Sequence, residues 1–289
     1  MVIDCHYHHE ERMLKVEDLI ARMDGAGVNR VALIASMTDP LPETAPILIR
    51  LLQFFLTHRS IRRVGEALVA NFAEDGSIKI LNKTFRIYSD PDNEPVFKMT
   101  EKYPERFYGW AFVNPRGRND PIAEVERWIK YPGFVGIKAH PFWHRYPPAE
   151  LIPVAERAVR LNQPLLIHVG FHEQGDIHEL LNELPELKLI LAHAAFPSYA
   201  DTWKIIRDKK NVYVDLSAAA FVGEKITNDV VGYLGADRCL FGTDGPYGLH
   251  AADGKFDCGF IKRRIEKLFP DEKTRKLLLG ENFANIAGI

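Results

Sequence analysis

The chain has 289 residues, of which 46% are hydrophobic and 26% charged, a composition typical of a soluble globular protein. A formal net charge of -2 excludes a broad basic surface for nucleic acid, and no apolar run approaches the ~18 residues that a membrane span needs. There is no signal-peptide pattern and there are only three cysteines, so we expect a cytoplasmic protein that binds neither nucleic acid nor membrane.

Strand and helix patterns alternate along the chain. Apolar, β-branched runs indicate buried parallel strands, and the amphipathic segments between them indicate helices. Eight strands are predicted to start near residues 2, 30, 107, 134, 164, 187, 211 and 238. Apart from the gap between the second and third, their spacing is that of repeated βα units.

Eight such units predict an α/β fold in which the strands close into a (β/α)8 TIM barrel, formed by residues 1–289 as a single domain. An open, doubly wound sheet is the alternative. The lack of a glycine-rich phosphate loop after the first strand counts against that alternative.

The long gap after the second strand predicts a helical insertion at about residues 38–98. Residues 45–72 have helical periodicity, with a run of apolar residues at Leu51, Leu52, Phe54 and Phe55. Insertions at this end of a barrel often cover the site. The segment could therefore be a lid, a homodimer contact, or a helix that only packs on the barrel wall.

Polar side chains interrupt the predicted strands near their carboxyl ends. In the first strand, "VIDCHYH", His6 and His8 are two residues apart and share one face, whereas Cys5 and Tyr7 face the other way. Further polar residues end the later strands: Lys138 and His140 in "GIKAHP", His168 in "LLIHVG", His193 in "LILAHAA" and Asp244 in "FGTDGP". Barrel enzymes carry their chemistry at this end of the strands.

A metal ion would explain why four imidazoles and one carboxylate converge at one barrel mouth. Burying His6, His8, His168, His193 and Asp244 without partners would cost several kcal/mol. Neutral imidazoles and an ionised carboxylate are suitable ligands for Zn²⁺, and they also accept Mn²⁺, Fe²⁺ or Ni²⁺. A plug of hydrogen-bonded polar residues is the alternative interpretation.

These motifs together resemble the amidohydrolase superfamily, and within it the amidohydrolase-related ("amidohydrolase 2") branch of metal-dependent hydrolases and decarboxylases. The resemblance rests on "DCHYH", "GIKAHP", "LLIHVG", "LILAHAA", "LFGTDGP" and the closing "LLLGENFANIAGI". It covers essentially the whole chain apart from the insertion. The H-x-H pair alone is a weak signal, but the ordered set at successive strand ends is specific.

The resemblance implies a role for each residue. His6, His8 and His168 would be metal ligands, and Asp244 would be a further ligand or would contact the metal-bound water. His193 would bind a second metal or polarise the substrate. One ion, most simply Zn²⁺, is expected, with Lys138 neutralising a substrate carboxylate. Two ions are possible if Lys138 is carboxylated and bridges them.

The function implied is a metal-dependent hydrolase that uses a metal-activated water on an amide, ester or lactone bond of a small, carboxylated substrate. Asp244 would move the proton in this reaction, with His193 and Lys138 as further catalytic groups. A non-oxidative decarboxylase of a small aromatic acid and a non-catalytic binder of metal or ligand are the alternatives. Several residues beside the proposed ligands could contact substrate: Tyr7, Lys138, His140, Trp143, His172 and Tyr247.

Overall fold

The strands form where the sequence is most apolar. The structure, a computed structural model, describes residues 1–41, 47, 51, 54–55, 61–69, 72–73, 76–80, 83–247 and 256–289. Its strands are β1, Ile3–His9; β2, Arg30–Ala35; β3, Ile78–Ile80; β4, Lys83–Phe85; β5, Phe107–Phe112; β6, Phe134–Ala139; β7, Leu165–Ile167; β8, Leu189–Leu191; β9, Val212–Asp215; and β10, Cys239–Leu240.

Helices follow most of the barrel strands. They are α1, Val16–Ala26; α2, Arg62–Val69; α3, Glu94–Lys102; α4, Pro121–Ile129; α5, Pro141–His144; α6, Ile152–Arg160; α7, His178–Glu183; α8, Ala200–Ile206; α9, Glu224–Leu234; α10, Phe260–Leu268; α11, Glu272–Lys276; and α12, Asn282–Ala287. None of these described helices combines the length and the apolar character needed to cross a membrane.

Eight strands pair side by side in the order β1-β2-β5-β6-β7-β8-β9-β10, and all of these pairs are parallel. Hydrogen bonds then join the last strand region to the first. The N–H of Cys5 donates to the carbonyl of Phe241 (3.0 Å), and the N–H of Asp244 donates to the carbonyl of His6 (2.7 Å). This closure confirms the predicted (β/α)8 TIM barrel and excludes the open sheet.

Both faces of the barrel strands are buried. All six residues of β6 are buried, and in β2 every residue after Arg30 is buried. Helices cover the outer face with apolar stripes, such as Val125 and Trp128 of α4. Burial on both faces explains why these strands read as continuous apolar runs rather than as alternating patterns.

The insertion lies between β2 and β5 and contains α2, α3 and a two-stranded hairpin. In that hairpin β3 and β4 pair antiparallel, a feature that the sequence did not predict. Leu51 and Phe54 are exposed, and Phe55 is partly buried. Leu52 lies outside the described residues.

Candidate metal centre at the barrel mouth

His6 and His8 lie on β1 with their rings at the carboxyl end of the barrel. Both are buried, and their ring centroids are 5.5 Å apart. Asp4 lies beneath them, where its carboxylate accepts the backbone N–H of His6 and that of Thr243, each at 3.0 Å. Asp4 therefore fixes the backbone of β1 to the loop after β10, which carries Asp244.

Asp244 faces both histidines of β1. Its Oδ1 lies 3.4 Å from Nε2 of His6 and 3.5 Å from Nε2 of His8, while its Oδ2 lies 3.8 Å from Nε2 of His193. The backbone of Asp244 (φ 62°) and that of His193 (φ 56°) are both left-handed. Such conformations are unfavourable for residues other than glycine, and they cluster at functional sites.

Asp215, at the end of β9, orients two of the imidazoles and was not singled out in the sequence. Its Oδ2 accepts Nδ1–H of His6 at 2.8 Å, and its Oδ1 accepts the backbone N–H of His193 at 2.9 Å. The N–H and the hydroxyl of Ser217 also donate to Oδ1. The signal that could have found it is an acid at the end of a buried strand, in "NVYVDLS".

These hydrogen bonds set the tautomers of two histidines. A carboxylate only accepts, so Nδ1 of His6 carries the proton. The Ser217 hydroxyl donates to Asp215 and therefore accepts Nδ1–H of His193, at 2.8 Å. In both rings the lone pair is left on Nε2, the nitrogen that faces Asp244. Contacts behind the ligands that fix tautomer and ring orientation in this way are typical of metal sites.

His168 continues the row of imidazoles. Its ring centroid lies 4.5 Å from that of His193 and 4.3 Å from that of His140. Lys138 is fully buried on β6, two residues before His140. Among the described residues, neither Nζ of Lys138 nor Nε2 of His168 has a hydrogen-bond partner.

The donor set fits a divalent metal ion. Single ligand atoms of His6, His8 and Asp244 all lie within 4.8 Å of one another. Nε2 of His6, which faces Asp244, is buried without a hydrogen-bond partner in the described part of the chain. An unpaired buried nitrogen is costly, and a cation beside it would satisfy it. His168 is not within this compact group.

A second group, His6, His193 and Asp215, is equally close together. There, however, the facing atoms are Nδ1 of each ring, and these are already hydrogen-bonded to Asp215 or Ser217. That arrangement needs no ion.

The electrostatics of the site also suit a cation. Burial, together with Lys138 and the neighbouring rings, lowers the pKa of His6, and burial with these neighbours does the same for His168 and His193. The rings are therefore neutral, as metal ligation requires. Burial raises the pKa of the Asp244 carboxyl, while His8 and Lys138 act in the opposite direction.

The remaining predicted substrate contacts lie in different surroundings. Tyr247 is close to the site, with its ring 5.6 Å from that of His8. The Tyr7 ring packs against Phe256, on the opposite side of β1 from His6. His172 is 80% exposed, and its Nε2 lies 3.5 Å from Glu66. Trp143 packs on His140, with ring centroids 5.2 Å apart.

A polar cleft of about 450 Å³ lies next to the ends of β1 and β2. Its wall includes Glu10, whose carboxylate accepts Nε–H of Arg12 and the hydroxyl of Ser36, each at 2.7 Å. His9, the residue after the candidate ligand His8, also lines the cleft. The cleft offers room for a small polar molecule.

Comparisons with known proteins give a family match and structural neighbours. The sequence model of the amidohydrolase family matches residues 81–284, and a search of curated proteins gives no match. Among solved structures, a candidate 2-pyrone-4,6-dicarboxylic acid hydrolase from Pseudomonas putida is 15% identical, with a TM-score of 0.64 and coverage of 99% of this chain and 97% of that chain.

Two decarboxylases have the same architecture. A 5-carboxyvanillate decarboxylase from Sphingomonas paucimobilis is 14% identical, with a TM-score of 0.61 and coverage of 100% of this chain and 99% of that one. A 5-carboxyvanillate decarboxylase from Novosphingobium aromaticivorans, solved with bound manganese, is 16% identical, with a TM-score of 0.59 and coverage of 97% and 81%. At these identities the likeness is one of fold.

Proposed function

Because the chain belongs to the amidohydrolase family, we propose that it is a metal-dependent hydrolase acting on an amide, ester or lactone bond of a small, carboxylated substrate. The observation that carries the proposal is the convergence of His6, His8 and Asp244, with Nε2 of His6 buried and without a partner among the described residues. The family supports metal-dependent hydrolysis or decarboxylation in general. The bond and the substrate are our inference.

In this proposal His6, His8, Asp244 and His168 hold one divalent ion, with Zn²⁺ as the first candidate. When bound, the ion supplies the Lewis acidity that activates a water molecule. Asp244 is partly open to solvent and lies opposite two imidazole nitrogens, so its carboxylate is placed to accept a proton from water and return it to the leaving group. The lone pair on Nε2 of His193 offers a second base within 3.8 Å of Asp244.

Lys138 supports the view that the substrate carries a carboxylate. Its ammonium is buried beneath the imidazoles, and burial lowers the pKa of this amine to about 8. No described residue accepts a hydrogen bond from it. A substrate carboxylate would supply the hydrogen-bond acceptor that this ammonium lacks among the described residues. Carboxylation of Lys138, with a second ion, is the alternative.

The experiment has two stages. Metal content is measured by plasma mass spectrometry on protein purified without chelator, where about one Zn²⁺, Mn²⁺, Fe²⁺ or Ni²⁺ per chain is expected. Hydrolysis is then assayed on a panel of small carboxylated esters, lactones and amides, with Asp244→Asn as the inactive control. Absence of stoichiometric metal, or full activity of the Asp244→Asn variant, would refute the proposal.

An aromatic wall beside His168 favours decarboxylation of a flat aromatic acid as the second candidate. The rings of Phe142 and Phe196 lie 5.9 and 6.0 Å from that of His168. Such a wall could stack on a substrate ring while Lys138 receives its carboxylate. Release of carbon dioxide from a panel of hydroxybenzoic acids, without hydrolysis of the esters, would establish this reaction instead.

A further inference from the structure

His140 is an imidazole of the site whose orientation is set by the backbone. It follows β6 directly and caps α5, where its Nδ1 accepts the backbone N–H of Trp143 at 3.1 Å. The residue is buried, with an exposed fraction of only 3%. Among the described residues, the backbone N–H of Trp143 is the one hydrogen-bond partner of the His140 side chain.

The bond from Trp143 decides where the proton of the ring lies. A ring nitrogen that accepts an N–H must bear a lone pair, so Nδ1 of His140 is unprotonated and the ring is neutral. The proton is therefore on Nε2. This is the reverse of His6 and His193, whose Nδ1 atoms donate and whose Nε2 atoms bear the lone pair.

The surroundings of His140 place this donor at the candidate site. Its ring centroid lies 4.3 Å from that of His168. Lys138 precedes it by two residues on β6 and so shares its face of the strand, with a buried Nζ that has no partner in the described part of the chain. Because Nδ1 faces Trp143, Nε2–H lies on the ring edge away from α5.

We propose that His140 is a hydrogen-bond donor and not a metal ligand, and that its Nε2–H and the ammonium of Lys138 together receive one carboxylate of the substrate. The inference rests on the proposed function, because it assumes a carboxylated substrate beside the metal. It assigns opposite chemistry to imidazoles of one site: a lone pair toward the ion at His6, and a proton toward the substrate at His140.

Two variants separate the cap from the donor. His140→Asn places an amide oxygen where Nδ1 lies and keeps the helix cap, because asparagine is among the best capping residues, but it removes the donor at the Nε2 position. His140→Gln reaches the Nε2 position with an amide N–H and gives up the cap. A purely structural role would therefore make Gln the worse variant in every assay, whereas a donor role makes Asn the worse one in ligand binding.

The first readout is the tautomer itself. Two-bond ¹H–¹⁵N correlation spectra of ¹⁵N-histidine-labelled protein are recorded without metal and with Zn²⁺, and the His140 signals are assigned by their loss in His140→Asn. A proton on Nε2 is expected in both samples. A proton on Nδ1, or on both nitrogens near neutral pH, overturns the inference. The metal-free sample shows the tautomer of His140 by itself. A chain that binds no Zn²⁺ would therefore refute the proposed function without changing the tautomer result.

The second readout is calorimetric titration of the Zn²⁺-loaded protein with malonate as the probe. We expect His140→Asn to keep the wild-type Zn²⁺ affinity and Tm but to bind malonate about tenfold or more weakly, as for a lost hydrogen bond to a charged group. We expect His140→Gln to stay within about threefold of wild type for malonate. Three results would overturn the inference. His140→Asn could bind Zn²⁺ more weakly than wild type, it could bind malonate as tightly as wild type, or the wild type could fail to bind malonate.

Discussion

At the scale of single residues, Asp215 contacts two histidines of the barrel mouth, one through its ring and one through its backbone. It accepts Nδ1–H of His6 and the backbone N–H of His193. In Asp215→Asn an amide NH₂ can face Nδ1 of His6 and favour the tautomer with its proton on Nε2, which cannot bind a metal. We expect Zn²⁺ affinity to fall about 10–100-fold, as measured by competition with a chromogenic chelator.

Ser217→Ala is the matched control for that variant. It removes the hydroxyl between His193 and Asp215 but leaves the bond from His6 to Asp215 intact. Zn²⁺ affinity should therefore change much less than in Asp215→Asn. Equal affinities in wild type and Asp215→Asn would show that Asp215 does not orient a ligand.

Lys138 leads to a prediction in which stability and binding change in opposite directions. The ammonium is fully buried without a partner among the described residues, which is costly. Lys138→Met fills a similar volume without the charge and should stabilise the ligand-free protein by about 1–3 kcal/mol in urea unfolding, while weakening malonate binding. Lys225→Met, at an exposed position of α9, should change stability by less than about 0.5 kcal/mol. A loss of stability in Lys138→Met would contradict this account.

Some residues of the candidate site could be predicted from the sequence and others could not, for a physical reason. His6, His8, His168, His193 and Asp244 stand out because polar side chains interrupt apolar strands, and the structure brings all five close together. Asp215 is less visible, because acids are also common where a strand ends in a loop. Its partners lie 209 and 22 residues away along the chain, so only the fold reveals them.

At the scale of elements, β6 carries Lys138 and His140 and depends on a close approach at Gly136. A Cβ at Gly136 would clash with the ring of Trp110 and lie 2.8 Å from the carbonyl oxygen of Pro164. Gly136→Ala should therefore destabilise the protein by about 1–3 kcal/mol through displacement of the strand. Urea unfolding measures this cost.

Gly232→Ala is the same chemical change at a position in α9 where a Cβ would meet nothing within 4 Å. It should stabilise the protein by up to about 1 kcal/mol, because alanine is the better helix former. Equal stability of Gly136→Ala and Gly232→Ala would show that a Cβ at Gly136 is tolerated and that close packing at β6 does not require glycine.

Asp90 connects the segment before α3 to the segment after β5. Burial acts to raise the pKa of its carboxyl, but hydrogen bonds from Ser89, Asn119 and Arg118 outweigh it and hold the pKa at about 2. In the unfolded chain the carboxyl takes up a proton at higher pH. The stabilisation is therefore complete above about pH 4 and is lost as the pH falls through about 2.

The corresponding measurement is Tm as a function of pH in wild type and Asp90→Asn. The Tm advantage of the wild type should shrink as the pH is lowered from about 4 to about 2, because only the wild type loses a favourable ionised group in that range. Two curves that stay parallel over this range would refute the lowered pKa of Asp90.

The elements themselves follow closely from the sequence where strands are long and apolar. Each predicted barrel strand begins within two residues of its position in the structure, because burial on both faces leaves an unbroken apolar run. The hairpin of β3 and β4 is different. Its strands have three residues each, and Lys79, Lys83 and Thr84 give no run that periodicity can detect.

At the scale of the whole molecule, the closed barrel is what makes the metal centre possible. His6 and Asp244 are far apart in sequence, yet they lie on the first and last strand regions, which become neighbours when the sheet closes. An ion between them therefore links the two ends of the barrel. Because the unfolded chain cannot assemble this site, metal binding should stabilise the fold.

Removal of the metal should accordingly lower Tm. At a free ion concentration of about a thousand times Kd, binding contributes about 4 kcal/mol, which for a chain of this size corresponds to a shift of roughly 7 °C. Differential scanning fluorimetry before and after chelation, and after addition of Zn²⁺, measures the shift.

His8→Ala removes a ligand and should abolish the Tm shift. His178→Ala changes an exposed histidine paired with Asp176 and should leave it unchanged. An ion at the barrel mouth is held partly by His8, so loss of this side chain must reduce the Tm shift. A shift of equal size in His8→Ala and wild type would mean that the ion binds at another place on the chain.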